Sequence, residues 1–99
     1  MMTNGIEFIN FRIENLLRRA ARSDMDACYD LGMIYSSGAD GAALDLTEAH
    51  KWFNIAAVNG YSAAQARRSE IAYDMTAREI ANAQKAARAW LRESVALAA

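Results

Sequence analysis

The chain contains one histidine, His50, and one cysteine, Cys28, which are the side chains best suited to metal binding or nucleophilic catalysis. A zinc site needs several such ligands, and a nucleophilic thiol needs a base and a group that orients that base. His50 has no second histidine, no nearby cysteine and no glutamate at ligand spacing. We therefore expect a surface position for His50, a small buried thiol at Cys28, and no metal site.

Loops that bind phosphates or carry a catalytic serine are absent from the sequence. It contains no GxGxxG, P-loop or GxSxG motif, and the turn at residues 38–41 lacks the Lys-Ser/Thr pair of a phosphate cradle. The sequence therefore predicts a non-enzymatic protein that uses no cofactor.

Basic side chains cluster in the C-terminal third, where Arg78, Lys85 and Arg92 recur every seven residues. A nucleic-acid surface would need more positive charge than the net −1 of this chain, with interleaved aromatic residues. We favour a solvated helix face and expect no nucleic-acid partner. An acidic protein, or the acidic middle of a second copy, is the alternative partner. The cluster comprises Arg67, Arg68, Arg78, Lys85, Arg88 and Arg92.

The composition predicts a single helical domain. The chain has 99 residues, and 54% of them are hydrophobic, enough for a packed core. Proline is absent and alanine is frequent, which favours helices because these are the worst and the best helix formers. Neither a secretory signal nor an apolar run long enough to span a bilayer is visible, so we expect a cytoplasmic protein without a membrane partner.

An apolar stripe at helical spacing over residues 6–21 predicts an N-terminal helix. Phe8 and Phe11 lie off this stripe and widen the apolar surface. Such an excess requires burial on two sides or contact with another chain. We favour a helix that caps one end of the core; pairing of two chains through these phenylalanines is the alternative.

A helix-loop-helix unit follows, between residues 23 and 60. Gly38 is placed to end its first helix, and Asp45 with Glu48 to form a capping box at the start of its second. A glycine costs about 1 kcal/mol inside a helix. Gly32 therefore suggests a contact between helices that is too close for a side chain.

The first helix of this unit carries a polar face away from its apolar stripe. Asp26 and Asp30 are like charges four residues apart, which slightly disfavours a helix. Residues 24–50 contain six acids and no lysine or arginine. This electrostatic misfit is consistent with a binding role, and an ordinary solvated face is the alternative. The face comprises Asp26, Tyr29, Asp30, Met33 and Ser37.

The helical pattern begins again at residue 62 and continues through a second capping box, Thr76 with Glu79. Trp52 and Trp90 both lie in apolar stripes, which indicates core anchors rather than a platform for stacking bases. Placing residue 27 on residue 63 gives a repeat of 36 residues, a period typical of helical solenoids.

Small, aromatic and capping residues follow one another in a fixed order within residues 27–60. They read Ala27-xxx-Leu31-Gly32-xx-Tyr35-xx-Gly38, then Gly41-xxx-Asp45-xxx-Ala49-xx-Trp52-xxx-Ala56-Ala57-xx-Gly60. This pattern resembles the Sel-one-like repeat, a relative of the tetratricopeptide repeats. Residues 62–90 match in part and are similar to the divergent last repeat of small bacterial members. An extra loop residue after Gly38, and Glu48 in place of the usual lysine, depart from the pattern at surface positions.

The resemblance implies an all-α fold, a short right-handed α/α superhelix of antiparallel helix pairs with about five helices. It divides the single domain 1–99 into an N-terminal helix (1–22), a complete repeat (23–60) and a degenerate C-terminal repeat (61–99). In such solenoids the first helix of each pair lines the concave face. On this chain, that face is the same set of residues that the periodicity leaves outside the core.

A protein-protein adaptor is the function that the resemblance implies, with a partner peptide or protein docked on the concave face. An aromatic ring and a methionine among carboxylates suit a partner with basic and apolar side chains. The alternative is a structural or regulatory protein that assembles as a homodimer through its N-terminal helix.

Overall fold

The computed structural model describes the backbone of residues 5–98 and the side chains of residues 11–39 and 41–94. This part of the chain folds into five α-helices, which confirms the predicted all-α class and helix number. A short 3-10 turn, Ala39–Gly41, lies between the second and third helices. The helices are α1 (Gly5–Ala21), α2 (Met25–Ser37), α3 (Leu46–Val58), α4 (Ser62–Ala72) and α5 (Ala77–Ala98).

Both ends of α2 are defined by local backbone chemistry. At its N-terminus the Asp24 carboxylate accepts a hydrogen bond from the backbone N–H of Ala27, which occupies a donor that the helix leaves unpaired. At its C-terminus Gly38 has a φ of 69° and donates its N–H to the carbonyl of Ile34. Glycine adopts this left-handed conformation without the strain of a Cβ atom, so α2 ends where predicted.

The two predicted capping boxes have different outcomes. At the start of α5 the box is complete: Glu79 Oε1 accepts from the Thr76 N–H at 2.8 Å, and Thr76 Oγ1 accepts from the Glu79 N–H at 3.1 Å. At the start of α3 only the Asp45 half forms, at 3.0 Å to the Glu48 N–H. The prediction for the Glu48 side chain is wrong, because its carboxylate accepts from Lys51 Nζ and Trp52 Nε1 instead.

Helix α3 is the centre of the packing, in contact with α2, α4 and α5, while α1 packs on α2. Helices α2 and α3 approach each other closely at Gly32. A Cβ atom added to Gly32 would lie 2.5 Å from two ring atoms of Phe53, which is fully buried. The predicted contact without room for a side chain is confirmed.

Two indole rings join α3 to α5. Trp52 is 2% exposed, and its ring meets that of the half-buried Trp90 edge to face, with 5.7 Å between centroids. Edge-to-face packing suits the quadrupoles of aromatic rings. Lys51 Nζ lies 4.4 Å from the centroid of Trp52 and adds a cation–π contact. Both tryptophans are therefore packing residues of the core and its edge, as predicted.

Within residues 5–98, no helix is both long enough and apolar enough to cross a bilayer.

Replacing Gly32 by alanine tests the α2–α3 contact. Overpacking against Phe53 outweighs the better helix propensity of alanine, so we expect the free energy of unfolding to fall by about 1–2 kcal/mol in urea denaturation. In a Phe53→Leu background the ring is gone and the same Gly32→Ala change costs less. An equal loss in both backgrounds would contradict the contact.

Candidate functional site

The α2 face, defined as Asp26, Tyr29, Asp30, Met33 and Ser37, lies on the side of α2 that the core leaves uncovered. An α-helix turns 100° per residue, so four of the five fall within an arc of about 60°. Asp26 and Ser37 are exposed, and the other three are half-buried. The structure thus keeps the five residues on one helix but gives them different neighbours.

Tyr29 stands at the boundary between the α2 face and the core. Its ring packs against Phe53, with centroids 5.6 Å apart, and stacks on Tyr61, with centroids 5.0 Å apart. Its hydroxyl accepts a hydrogen bond from Arg67 Nε at 3.3 Å. Tyr29 is therefore held by α3, by the residue before α4 and by the middle of α4. A Tyr29→Ala change would remove this packing together with any binding contact.

Electrostatic contacts extend the α2 face onto α4. The pKa of Tyr61 is raised, chiefly by the neighbouring Asp26 carboxylate. The pKa of Arg67 is raised by its hydrogen bond to Tyr29 and by the charge of Glu70. Arg67 also pairs with Glu70 at 3.5 Å. One edge of the acidic face is therefore lined by a tyrosine and an arginine.

The other edge of the α2 face borders a cleft of about 310 Å³. Ile34 is 3% exposed and contributes apolar surface to this cleft. Ser37 contributes little hydrogen-bonding capacity, since its hydroxyl donates to the carbonyl of Met33 at 2.7 Å and accepts from the N–H of Ala39. Asp30 and Arg12 thus contribute opposite charges to the cleft, and Met33 contributes flexible apolar surface. The cleft is lined by Arg12, Asp30, Met33, Ile34, Ser37 and Ala39.

Sequence reasoning missed three residues that border the α2 face, namely Arg12, Tyr61 and Arg67. Arg67 is 38 positions from Tyr29 in the chain, so no helical spacing connects them. The pattern of repeats indicated that α2 and α4 are equivalent helices. Only the packing of both on α3 shows that their side chains meet.

Arg68, from the predicted basic cluster, serves a different contact. Its Nη1 donates to Asn54 Oδ1 and joins α4 to α3. The six bases therefore do not act as one group: two are engaged with α2 and α3, and four lie on α5.

Cys28 is fully buried, as predicted. Burial raises the pKa of its thiol to about 12, with a smaller contribution from the charge of Asp24. The reactive thiolate is therefore a negligible species at neutral pH.

The predicted surface position of His50 is wrong. Its side chain is 3% exposed, and its Nδ1 has no hydrogen-bond partner among the described residues. Burial lowers the pKa of His50, and the positive charge of Arg68 lowers it further. The histidine occurs next to Lys51 outside the main stripe, but α3 is covered on three sides, so its buried arc is wider than one stripe.

Phe11 of the predicted self-association pair is 64% exposed. The side chain of Phe8 lies outside the described residues. Leu17 on the same helix is 40% exposed, so α1 presents apolar surface to solvent.

Metal binding has no visible basis among the described residues, where no three histidine, cysteine, aspartate or glutamate side chains converge.

Comparison of the chain with protein-family models, with curated proteins and with solved structures returned no match.

The buried His50 predicts a pH dependence of stability. Its folded pKa lies below the unfolded value of 6.5, so the unfolded chain takes up a proton first as pH falls. Stability is then lost below about pH 6.5, by up to 1.4 kcal/mol per pH unit, until the folded pKa is reached. We expect urea denaturation between pH 7 and 5 to show this loss.

The matched control for this measurement is His50→Gln, which cannot titrate. Its free energy of unfolding should fall less over the same interval. Parallel pH profiles for the two proteins would contradict the role of His50.

Proposed function

We propose that the chain is a non-enzymatic adaptor that docks a partner peptide or protein on the α2 face. In this proposal its helices form a short right-handed superhelix of the Sel-one-like kind, and the α2 face is part of the concave side. The sequential packing of α1 to α4 and the close α2–α3 contact support it.

The observation that carries the proposal is the order of the α2 face. Tyr29 is fixed on one side by Phe53, Tyr61 and Arg67, while Asp30 and Met33 remain half-exposed beside a cleft. Ordered side chains lose little conformational entropy when a ligand binds.

The chemistry of the face indicates a partner that presents a basic side chain next to an apolar one. Asp30 has no ion pair with another described residue, so its carboxylate is available to a lysine or an arginine. The cleft beside it is large enough for one side chain, with Met33 and Ile34 as apolar contacts. Methionine adapts to differently shaped partners because its side chain is flexible and polarizable.

Reversal of the charge at Asp30 tests this function. Peptides selected from a random displayed library on the wild-type protein should be rich in basic and apolar residues. Their affinity for Asp30→Lys should fall about tenfold or more, because a favourable charge contact becomes repulsive.

Asp74→Lys is the matched control, since Asp74 is exposed, has the same charge and lies outside the α2 face. It should bind the selected peptides as the wild type does. Equal loss in both variants, or selection of acidic peptides, would overturn the proposal.

A second function, self-assembly through α1, is favoured by the 64% exposure of Phe11. Two repeats make a thin solenoid with little core, so association would stabilise it. Burial of a phenylalanine side chain contributes about 1.5–3 kcal/mol.

Light scattering tests self-assembly. If α1 pairs two chains, the wild type has the mass of a dimer and Phe11→Ser shifts it to a monomer by removing apolar contact area. Val58→Ser is the control, because Val58 on α3 is similarly exposed, at 59%. A monomeric wild type, or the same shift in both variants, would end this hypothesis.

A further inference from the structure

The outward side of α5 carries four exposed bases, Arg78, Lys85, Arg88 and Arg92, here named the α5 stripe. The opposite side of this helix contributes Ala83 and Ala87 to the buried core. At 100° per residue, residues seven apart almost superimpose along the axis, so Arg78, Lys85 and Arg92 fall within an arc of about 40°. This arc points away from the core.

The two acidic residues of α5, Glu79 and Glu93, lie beside the α5 stripe, outside the arc of its bases. None of its four bases forms an ion pair with a side chain that the structure describes. Within the stripe, Lys85 and Arg88 are three residues apart, and Arg88 and Arg92 are four apart. Like charges at these spacings destabilise a helix by a few tenths of a kcal/mol per pair. The helix dipole does not offset this repulsion, since no base lies in the last turn of α5.

We propose that the α5 stripe docks an acidic helix of a partner protein, one whose carboxylates recur every seven residues. Seven residues span about 10.5 Å along a helix, so such a partner places one carboxylate opposite each of Arg78, Lys85 and Arg92. Ala81 and Ala89 lie between the bases and leave the surface flat enough for a helix to approach. The surface is separate from the α2 face and does not depend on the adaptor proposal.

Nucleic acid fits the same stripe less well. Successive phosphates of one strand of duplex DNA are closer together than the bases of the stripe, and no aromatic side chain lies among those bases to stack on an unpaired nucleotide. An acidic helix can place its carboxylates at the interval of about 10.5 Å that separates Arg78, Lys85 and Arg92 along α5.

The test uses the full chain and two synthetic peptides of three heptads. One carries glutamates at the first and fourth positions of every heptad, and the other has the same composition with the glutamates dispersed around the helix. At low salt the heptad peptide should bind about tenfold more tightly, measured by fluorescence anisotropy, and lose this advantage as salt screens the contacts. Lys85→Glu should weaken its binding about tenfold or more.

Arg22→Glu is the matched control, because Arg22 is exposed on the segment after α1 and the change in net charge is the same. It should leave affinity for the heptad peptide within about twofold of the wild type. Equal binding of both peptides, or equal losses in both variants, would overturn the proposal. Tighter binding of a DNA duplex than of the heptad peptide would also overturn it, because the stripe would then bind nucleic acid. So would a dimer that dissociates in Lys85→Glu without any peptide, because a second copy of the chain would then occupy the stripe.

Discussion

The contact between Gly32 and the ring of Phe53 sets how closely α2 packs on α3, and with it the position of the α2 face. Because position 32 has no side chain, α2 approaches α3 until the backbone of one helix meets an aromatic ring of the other. The same ring supports Tyr29, which is the innermost residue of the α2 face. A larger residue at position 32 would push the helices apart and move Tyr29 away from Tyr61. The geometry of the candidate docking surface thus depends on the absence of one methyl group.

Helix α3 contacts α4 and α5 as well as α2, so it links the position of α2 to that of the other helices. It holds α2 by apolar contact, α5 by the Trp52–Trp90 pair, and α4 partly by the polar contact of Asn54 with Arg68. His50, four residues before Asn54 and therefore on the same side of α3, is buried without a hydrogen bond to Nδ1 among the described residues. Protonation would place a second positive charge close to Arg68. Helix α4, which carries Arg68, also supplies Arg67 to the edge of the α2 face.

Cysteine and histidine, which perform chemistry in many proteins, are buried packing residues in this chain. Its charged side chains instead form the two surfaces described above. Cys28 and His50 are both buried, which raises the thiol pKa and lowers the imidazole pKa away from reactive values. The α2 face is acidic and the α5 stripe is basic, and the two surfaces belong to different helices. A helical protein with two surfaces of opposite charge is suited to bring two partners together, which is consistent with the proposed adaptor role.

The sequence by itself determined the features that depend on neighbours within one helix or one turn. Helix number, the cap at Gly38, the capping box at Thr76 and the burial of Trp52 follow from propensity, backbone conformation and apolar periodicity, all of which act over a few residues. The close contact at Gly32 was also predictable, because a helical glycine carries a cost that packing must offset. Only the tertiary structure decided the burial of His50, the partners of Glu48 and the meeting of Tyr29 with Tyr61 and Arg67. These three features depend on the number of helices that surround α3 and on the angles at which they pack. Contacts between side chains distant in sequence determine that number and those angles.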